Sequence, residues 1–522
     1  MTHPGPVLSE AAAQAVRRHR DAPCLIQGGR TLSFGEYHRL VGLVAGGLQR
    51  TLPRGARVGL FMSNCIEYLV LQMALECAGL VRVPLNARFT AVEAGTALRD
   101  CGAAALFCES GTAARAEQAQ AGSAKLWSCV VDGAHACGGP TWPELTAPTE
   151  PSAALRPALP DDLCSINYTS GTSGRPKGVM MSFHNWTAVC RNMLIDRDIR
   201  GADTVAHVGP LTHASGTYFM PWFLRGACQV IVEGRPIDNL LAAIERHKVT
   251  VFTCVPTVLT RIVNSPDLDR HDLSSIRAIG YGAEPIPRNT LEKALDKFGL
   301  ILTQNYGLTE AMMTVSTLAP ADHFLPGAAG TRGRELRIGS IGRPYTFVDV
   351  VLRDPDGKPV QTGDIGEITI QSDHVMQGYW GLAVETAQTL RDGWIWSGDL
   401  ARMDDAGFIT LVGRRKEMLI SGGFNIYPQE LEAVLNTHPE VIEAAVICVP
   451  DPDWGETPVA FVCLTAPGSS LPEGALADFC RPLLGIRTPK RFHLVATLPK
   501  NPNGKIDKRA LQALALGPDA VS

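Results

Sequence analysis

The sequence lacks the features that would send it to a membrane, a nucleic acid or an oxidising compartment. No run of about 18 uninterrupted apolar residues occurs, so no membrane span is expected. Charged residues make up 19%, the formal charge is −4, and no block of basic residues stands out, so neither a nucleic-acid surface nor a polybasic membrane patch is expected. The 14 cysteines form no CxxC pair and show no metal-type spacing against histidine, which leaves reduced thiols buried as small apolar side chains. The first residues carry no basic stretch followed by an apolar run, so a secretory signal is not expected and a cytoplasmic location is. What remains is a chain of 522 residues, 45% hydrophobic, long enough for two or three packed domains.

Apolar residues recur at helical spacing over 8 to 20, 33 to 50 and 66 to 80, with short buried-strand patterns at 58 to 61 and 81 to 85. The same alternation returns between 205 and 252. It predicts an α/β fold, a doubly wound sheet. The Gly-, Pro- and Ala-rich stretch 131 to 160 reads as a surface excursion. After Gly327 the texture changes to short strands separated by turns such as Asp354-Pro355-Asp356-Gly357, which predicts a smaller β-rich subdomain. A compact α+β unit follows from about Arg415. The charged stretch at 413 to 417 between the two reads as a hinge.

The chemistry gathers first at Thr169, Ser170, Gly171, Thr172, Ser173, Gly174, Arg175, Pro176 and Lys177, which follow a strand pattern at 163 to 168. Four hydroxyls and two glycine NH groups can point at phosphate oxygens, and Lys177 adds a cation. A Walker loop needs glycine before its lysine and Ser or Thr after it, whereas Pro176 and Gly178 occupy those places. A flexible linker does not end in the ordered Arg-Pro-Lys-Gly.

Four further groups lie downstream. Gly282, Ala283, Glu284 and Pro285 follow the strand-like 276 to 279. Gln304, Asn305, Tyr306, Gly307, Leu308, Thr309 and Glu310 put an aromatic, a hydroxyl and a carboxylate in one turn: a ring to stack on a base, a hydroxyl for a phosphate, and Glu310 for Mg²⁺. Asp399 ends a strand from Trp394, where it can accept ribose hydroxyls, with Arg414 behind it. Lys505 follows the turn dipeptide Asn503-Gly504, just before the last helix.

In this order the five groups resemble the motifs of the adenylate-forming (AMP-binding) superfamily, in its acyl-CoA synthetase branch for fatty or aryl acids. The resemblance implies a large domain over 1–414 and a small mobile cap over 415–522. It implies attack of a carboxylate on the α-phosphate of ATP with Mg²⁺, release of pyrophosphate, and transfer of the acyl group from acyl-AMP to CoA. Lys505 bridges the two anions, and Lys416 matches the hinge. Gly422 and Gly423 line a thiol tunnel where a Cβ would obstruct pantetheine. Trp454 stacks on the CoA adenine or is simply buried structure, and Arg487, Lys490 and Arg491 are candidates for the CoA phosphates. His213, in a motif beginning at Pro210, gates the acid, and Thr217, Tyr218, Gly282, Asn305, Gly307, Met312 and Met313 line its pocket. No aspartate is placed to hold a substrate ammonium, so amino acids are disfavoured. Since the chain ends about 10 residues past its last helix, no carrier domain is expected to follow. A ligase that loads a separate carrier protein, or one that stops at acyl-AMP, stays open, as does a homodimer. A nucleotide-binding regulator without chemistry is disfavoured by the presence of Lys177, Glu310 and Lys505.

Overall fold

The computed structural model describes residues 7–121, 126–133, 135–148, 158–169, 176–234, 237–325, 335–421, 424–451, 455–464, 471–472, 474–500 and 506–516. Helix starts follow local chemistry. Ser33, Thr90 and Thr141 each accept the backbone NH of a glutamate three residues on, and Glu36, Glu93 and Glu144 bond back to the cap NH.

Three sheets carry the fold. Among the described residues the first has eight strands, ordered Gly378–Tyr379, Lys177–Ser182, Leu163–Thr169, Val81–Asn86, Arg57–Met62, Ala105–Cys108, Trp127–Val130 and Ala136–Cys137. Val81–Asn86 and Ala105–Cys108 are buried at every position, as parallel strands covered on both faces must be.

The second sheet has fourteen strands among the described residues. Thr204–His207, Val251–Cys254, Ala278–Gly282 and Leu302–Leu308 run parallel side by side. A hairpin at Thr309 and Glu310 then turns the chain back as Ala311–Leu318, whose outer edge pairs with Ser340–Pro344. The sheet continues antiparallel through Ile409–Arg414, Trp394–Met403, Gly366–Gln371 and Asp349–Arg353. The β-rich portion expected as a separate subdomain is thus an extension of the doubly wound sheet, joined by that hairpin.

The third sheet holds Phe424–Ile426, Leu419–Ser421, Gly455–Leu464, Val441–Asp451 and Arg491–Leu494. Helices Pro428–Leu435 and Ala475–Leu484 cover one face through Leu431, Leu435, Leu476 and Cys480, while Lys508–Leu516 covers the other through Leu511. This is the small C-terminal α+β domain expected.

Local expectations are corrected in four places. Within 131 to 160 the helix Trp142–Thr146 buries Leu145 against Gly47, so that stretch is partly core. Residues 304 to 310 are not one turn: the first five continue a strand that ends at Leu308 and the last two occupy its hairpin. The strand before the Gly282 group runs Ala278–Gly282 instead of 276 to 279, because the Ser275 hydroxyl bonds the Val249 carbonyl and Arg277 reaches Asp198 and Asp203. Asp399 lies inside Trp394–Met403, directly opposite Arg414. The cysteines are unpaired and mostly buried; Cys137 is exposed.

Candidate active site

Strands Leu163–Thr169 and Lys177–Ser182 form an antiparallel pair with Thr169 opposite Lys177, and the Thr169 hydroxyl is 3.5 Å from the Lys177 carbonyl. Ser170, Gly171, Thr172, Ser173 and Gly174, which connect them, lie outside the described residues, as do Gly422, Gly423, Trp454 and Lys505. On the far edge of Lys177–Ser182 the two-residue strand Gly378–Tyr379 adds itself, Tyr379 opposite Val179. The Lys177 ammonium lies 4.8 Å from the centre of the Tyr379 ring. The Tyr379 hydroxyl donates to Oε1 of Glu310 at 2.6 Å, and the Met376 NH bonds the Glu310 carbonyl at 2.8 Å. Burial, then the Glu310 charge, raise the Tyr379 phenol, so it remains a proton donor. Thr169 and Lys177 on one strand pair and Glu310, distant in sequence, therefore share one corner. Tyr379 joins them and was not singled out from sequence; the aromatic pair Tyr379 and Trp380 after Gly378 was the only signal.

A second corner forms around Asp399. Its Oδ2 accepts the Tyr306 hydroxyl at 2.6 Å and its Oδ1 the Arg414 Nε at 3.1 Å. Burial and the Asp399 charge raise the Tyr306 phenol, and Asp399 foremost raises Arg414, which fixes the former as neutral donor and the latter as cation. Behind them Glu367 accepts the Gly398 NH at 2.9 Å and pairs with Arg415 at 2.9 Å. Tyr306 is 8% exposed, and its ring belongs to the core packed around Val179, Ala311 and Val315. The ring thus sits in the core while its hydroxyl bonds Asp399.

The glycines act on neighbouring strands. A Cβ on Gly282 would lie 2.1 Å from the Asn305 carbonyl oxygen, and one on Gly307 would lie 2.5 Å from the Met313 NH nitrogen. Ala283 follows in the left-handed region at φ 73°, and Met313 takes φ 60°. Glu284 accepts the Thr257 NH at 2.9 Å and its hydroxyl at 2.7 Å, and Lys500 of the C-terminal domain reaches that hydroxyl at 3.2 Å. Pro285 follows in the same loop. Lys416 occupies the exposed turn between Ile409–Arg414 and Leu419–Ser421.

Of the acid-pocket residues, Tyr218, Asn305, Met312 and Met313 come together. Met312 and Met313 pack on the core around Tyr218 and Trp222, and the Asn305 amide oxygen accepts the Tyr345 hydroxyl at 3.1 Å. His213 is exposed, its Nδ1 3.1 Å from the Thr212 hydroxyl. Thr217 is not with the Tyr218 group. It lines a cavity of about 10 Å³ with Gln72, Glu76, Trp186 and Met220, room for one water. Arg487 pairs with Glu430 and Lys490 with Asp451, so both already have carboxylates.

The pattern of the AMP-binding enzyme family matches residues 12–380, and that of the AMP-binding enzyme C-terminal domain matches residues 430–505. The chain belongs to the AMP-binding enzyme family. The feruloyl-CoA synthase of an Amycolatopsis species is 38% identical to it, covering 94% of this chain and 96% of that protein. A fatty acid–[acyl-carrier-protein] ligase, ScoC of Streptomyces coeruleorubidus, is 31% identical over 94% of this chain and 93% of its own. Among solved structures, the amide bond synthetase McbA from Marinactinospora thermotolerans superposes with a TM-score of 0.88 at 27% identity, covering 97% of this chain and 99% of that one. Within the family the chain groups with acyl-CoA synthetases. Among the described residues no helix is long and apolar enough to cross a membrane, and no cluster of three or more metal-ligating side chains occurs.

Proposed function

We propose that this AMP-binding enzyme is an ATP-dependent acid:CoA ligase acting on a fatty or aryl carboxylic acid. The substrate carboxylate attacks the α-phosphorus of ATP, the bond to the β,γ-diphosphate breaks, and acyl-AMP and pyrophosphate form. The CoA thiol then loses its proton, its sulfur attacks the acyl carbon, and AMP leaves as the thioester forms. The observation that carries this reading is the pair of corners on adjoining strands, one joining Thr169, Lys177 and Glu310 through Tyr379, the other joining Tyr306, Asp399 and Arg414.

In this reading the loop from Thr169 to Lys177 holds the phosphates and Asp399, braced by Tyr306 and Arg414, accepts the ribose hydroxyls. Glu310 fits as the single protein ligand of Mg²⁺. Tyr379 bonds only its Oε1, and one carboxylate beside nucleotide phosphates is a usual magnesium donor set. When bound, the ion spreads the polyphosphate charge. Lys505 lowers the repulsion between attacking carboxylate and α-phosphate, and the unit 415–522 rotates about Lys416 so that Gly422 and Gly423 face the site for the second step.

The test is formation of AMP and thioester, read by mass spectrometry, from a panel of fatty, aryl and dicarboxylic acids with and without CoA. Thioester from one acid class supports the proposal. Acyl-AMP that accumulates and ignores CoA moves the assignment to a carrier-protein ligase, the activity named for the Streptomyces relative.

A further inference from the structure

Arg197 is the C-terminal cap of the helix Phe183–Asp196, and its side chain enters the group around Tyr218 and Asn305. Its Nη1 donates to the Tyr218 hydroxyl at 3.1 Å and to the Asn305 amide oxygen at 3.2 Å. The guanidinium carbon lies 5.1 Å from the Tyr218 ring centre and 5.8 Å from that of Trp222, and Nη2 passes so close to Gly280 that a Cβ there would be 3.3 Å away. Every one of these partners is neutral.

The neighbouring carboxylates are committed elsewhere. Asp196 accepts the NH and hydroxyl of Thr346, Asp198 holds Arg200 and Arg277, and Asp203 holds Arg277, Thr250 and Trp222. Burial opposes the charge on Arg197, while the phenols of Tyr218 and Tyr345 favour it and keep the guanidinium protonated. Its hydrogen bonds go to the neutral Tyr218, Tyr345 and Asn305, and among the described residues no carboxylate pairs with it. A part-buried cation held only by neutral groups is costly unless something else supplies a counter-charge or a stronger acceptor.

Asn305 and Tyr306 are consecutive in a strand, so their side chains leave by opposite faces. Tyr306 goes to Asp399, and Asn305 goes to Arg197. We infer that Arg197 reads an oxygen at the end of the acid remote from the reacting carboxyl, so that the enzyme selects acids bearing a distal carboxylate, carbonyl or phenol over their plain counterparts. The planar fork suits two parallel bonds to such an oxygen group. Tyr218 and Asn305 hold the fork in place. Met312, Met313 and Trp222 line the apolar remainder. The inference rests on the acid-pocket assignment above.

The experiment compares matched aryl acids carrying a distal carboxylate, a distal hydroxyl or hydrogen, by ATP–pyrophosphate exchange, in the wild-type protein and in Arg197→Met. The wild type is expected to favour an oxygenated acid over its plain counterpart by about 10²-fold or more in kcat/KM, because the analogue leaves the donors unpaired. Which oxygenated acid leads separates an anionic from a neutral partner. In Arg197→Met that preference collapses, mainly through KM for the oxygenated acid, while the plain acid changes only a few-fold. Equal loss for all acids in the variant overturns the inference, leaving Arg197 a brace for Asn305. A wild type that treats the acids alike also overturns it, and needs no variant to fold. No exchange with any acid is a different failure, that of the ligase reading itself.

Discussion

Replacing Glu76 by glutamine should make the protein more stable at alkaline pH and leave it nearly unchanged in acid. Glu76, on the helix Ile66–Ala78, is 4% exposed and lines the small cavity beside Thr217. Its Oε2, the Gln72 Oε1 and the Thr217 hydroxyl all lack partners there. Burial raises the carboxyl from 4.5 to about 7, with the Arg82 charge opposing only in part. That displacement corresponds to on the order of 3 kcal/mol of preference for the protonated form. The native state holds this proton more tightly than the unfolded chain. The associated stability is therefore complete below about pH 4.5, declines as pH rises through about 7, and is lost above it. Glutamine does not titrate, and its amide can donate to the orphaned Gln72 oxygen. The gap in thermal midpoint between variant and wild type should widen from near zero at pH 5 to about 3 °C at pH 8.5, at roughly 1 °C per kcal/mol for a chain of this length. Scanning calorimetry over that range measures it. Parallel midpoint curves would refute a protonated Glu76.

Tyr306→Phe removes the donor to Asp399 Oδ2 and should cost about 1–3 kcal/mol, seen as a raised KM for ATP with the acid KM little changed. Gly282→Ala forces a Cβ to 2.1 Å from the Asn305 carbonyl; it should destabilise by roughly 1–3 kcal/mol in a thermal melt, and an unshifted midpoint would show that the two strands can part. Lys505→Ala should slow pyrophosphate release by about 10²–10³-fold yet spare attack of CoA on supplied acyl-AMP, and equal loss of both steps would count against rotation of the C-terminal domain. Gly423→Leu should do the reverse, impairing thioester formation more than adenylation.

The doubly wound fold was legible because its strands are short, apolar and separated by helical periods. The site candidates that the sequence offers are those whose chemistry is concentrated locally: hydroxyls and glycines from Thr169 to Gly174, a carboxylate at Glu310, the pair Asp399 and Arg414. Tyr379, Tyr345 and Arg197 were missed for a common reason. Each comes from its own element, and nothing beside it in sequence marks a tyrosine or arginine as anything but ordinary; its partners are set by sheet pairing. That the Tyr306 ring packs in the core and bonds Asp399 was not legible either, since periodicity reports that a ring is apolar but not which face is covered. Thr217 lines the small cavity with Glu76, whereas Tyr218, which caps the short helix Ala214–Thr217, packs with Trp222, Met312 and Met313.

The two-residue strand Gly378–Tyr379 also bears on how the enzyme comes into being. Its partners are about 200 and 70 residues upstream, and among the described residues it links Lys177 to Glu310. A chain that has emerged only as far as Ala311–Leu318 can pair the parallel strands of both sheets, but it cannot yet join Lys177 to Glu310 through Tyr379. A fragment ending short of Gly378 would keep the loop and the glutamate yet leave the Lys177–Ser182 edge unpaired, an open template for another strand. If the corner holds phosphate as proposed, nucleotide binding comes late in assembly, and limited proteolysis near that segment is expected to abolish it.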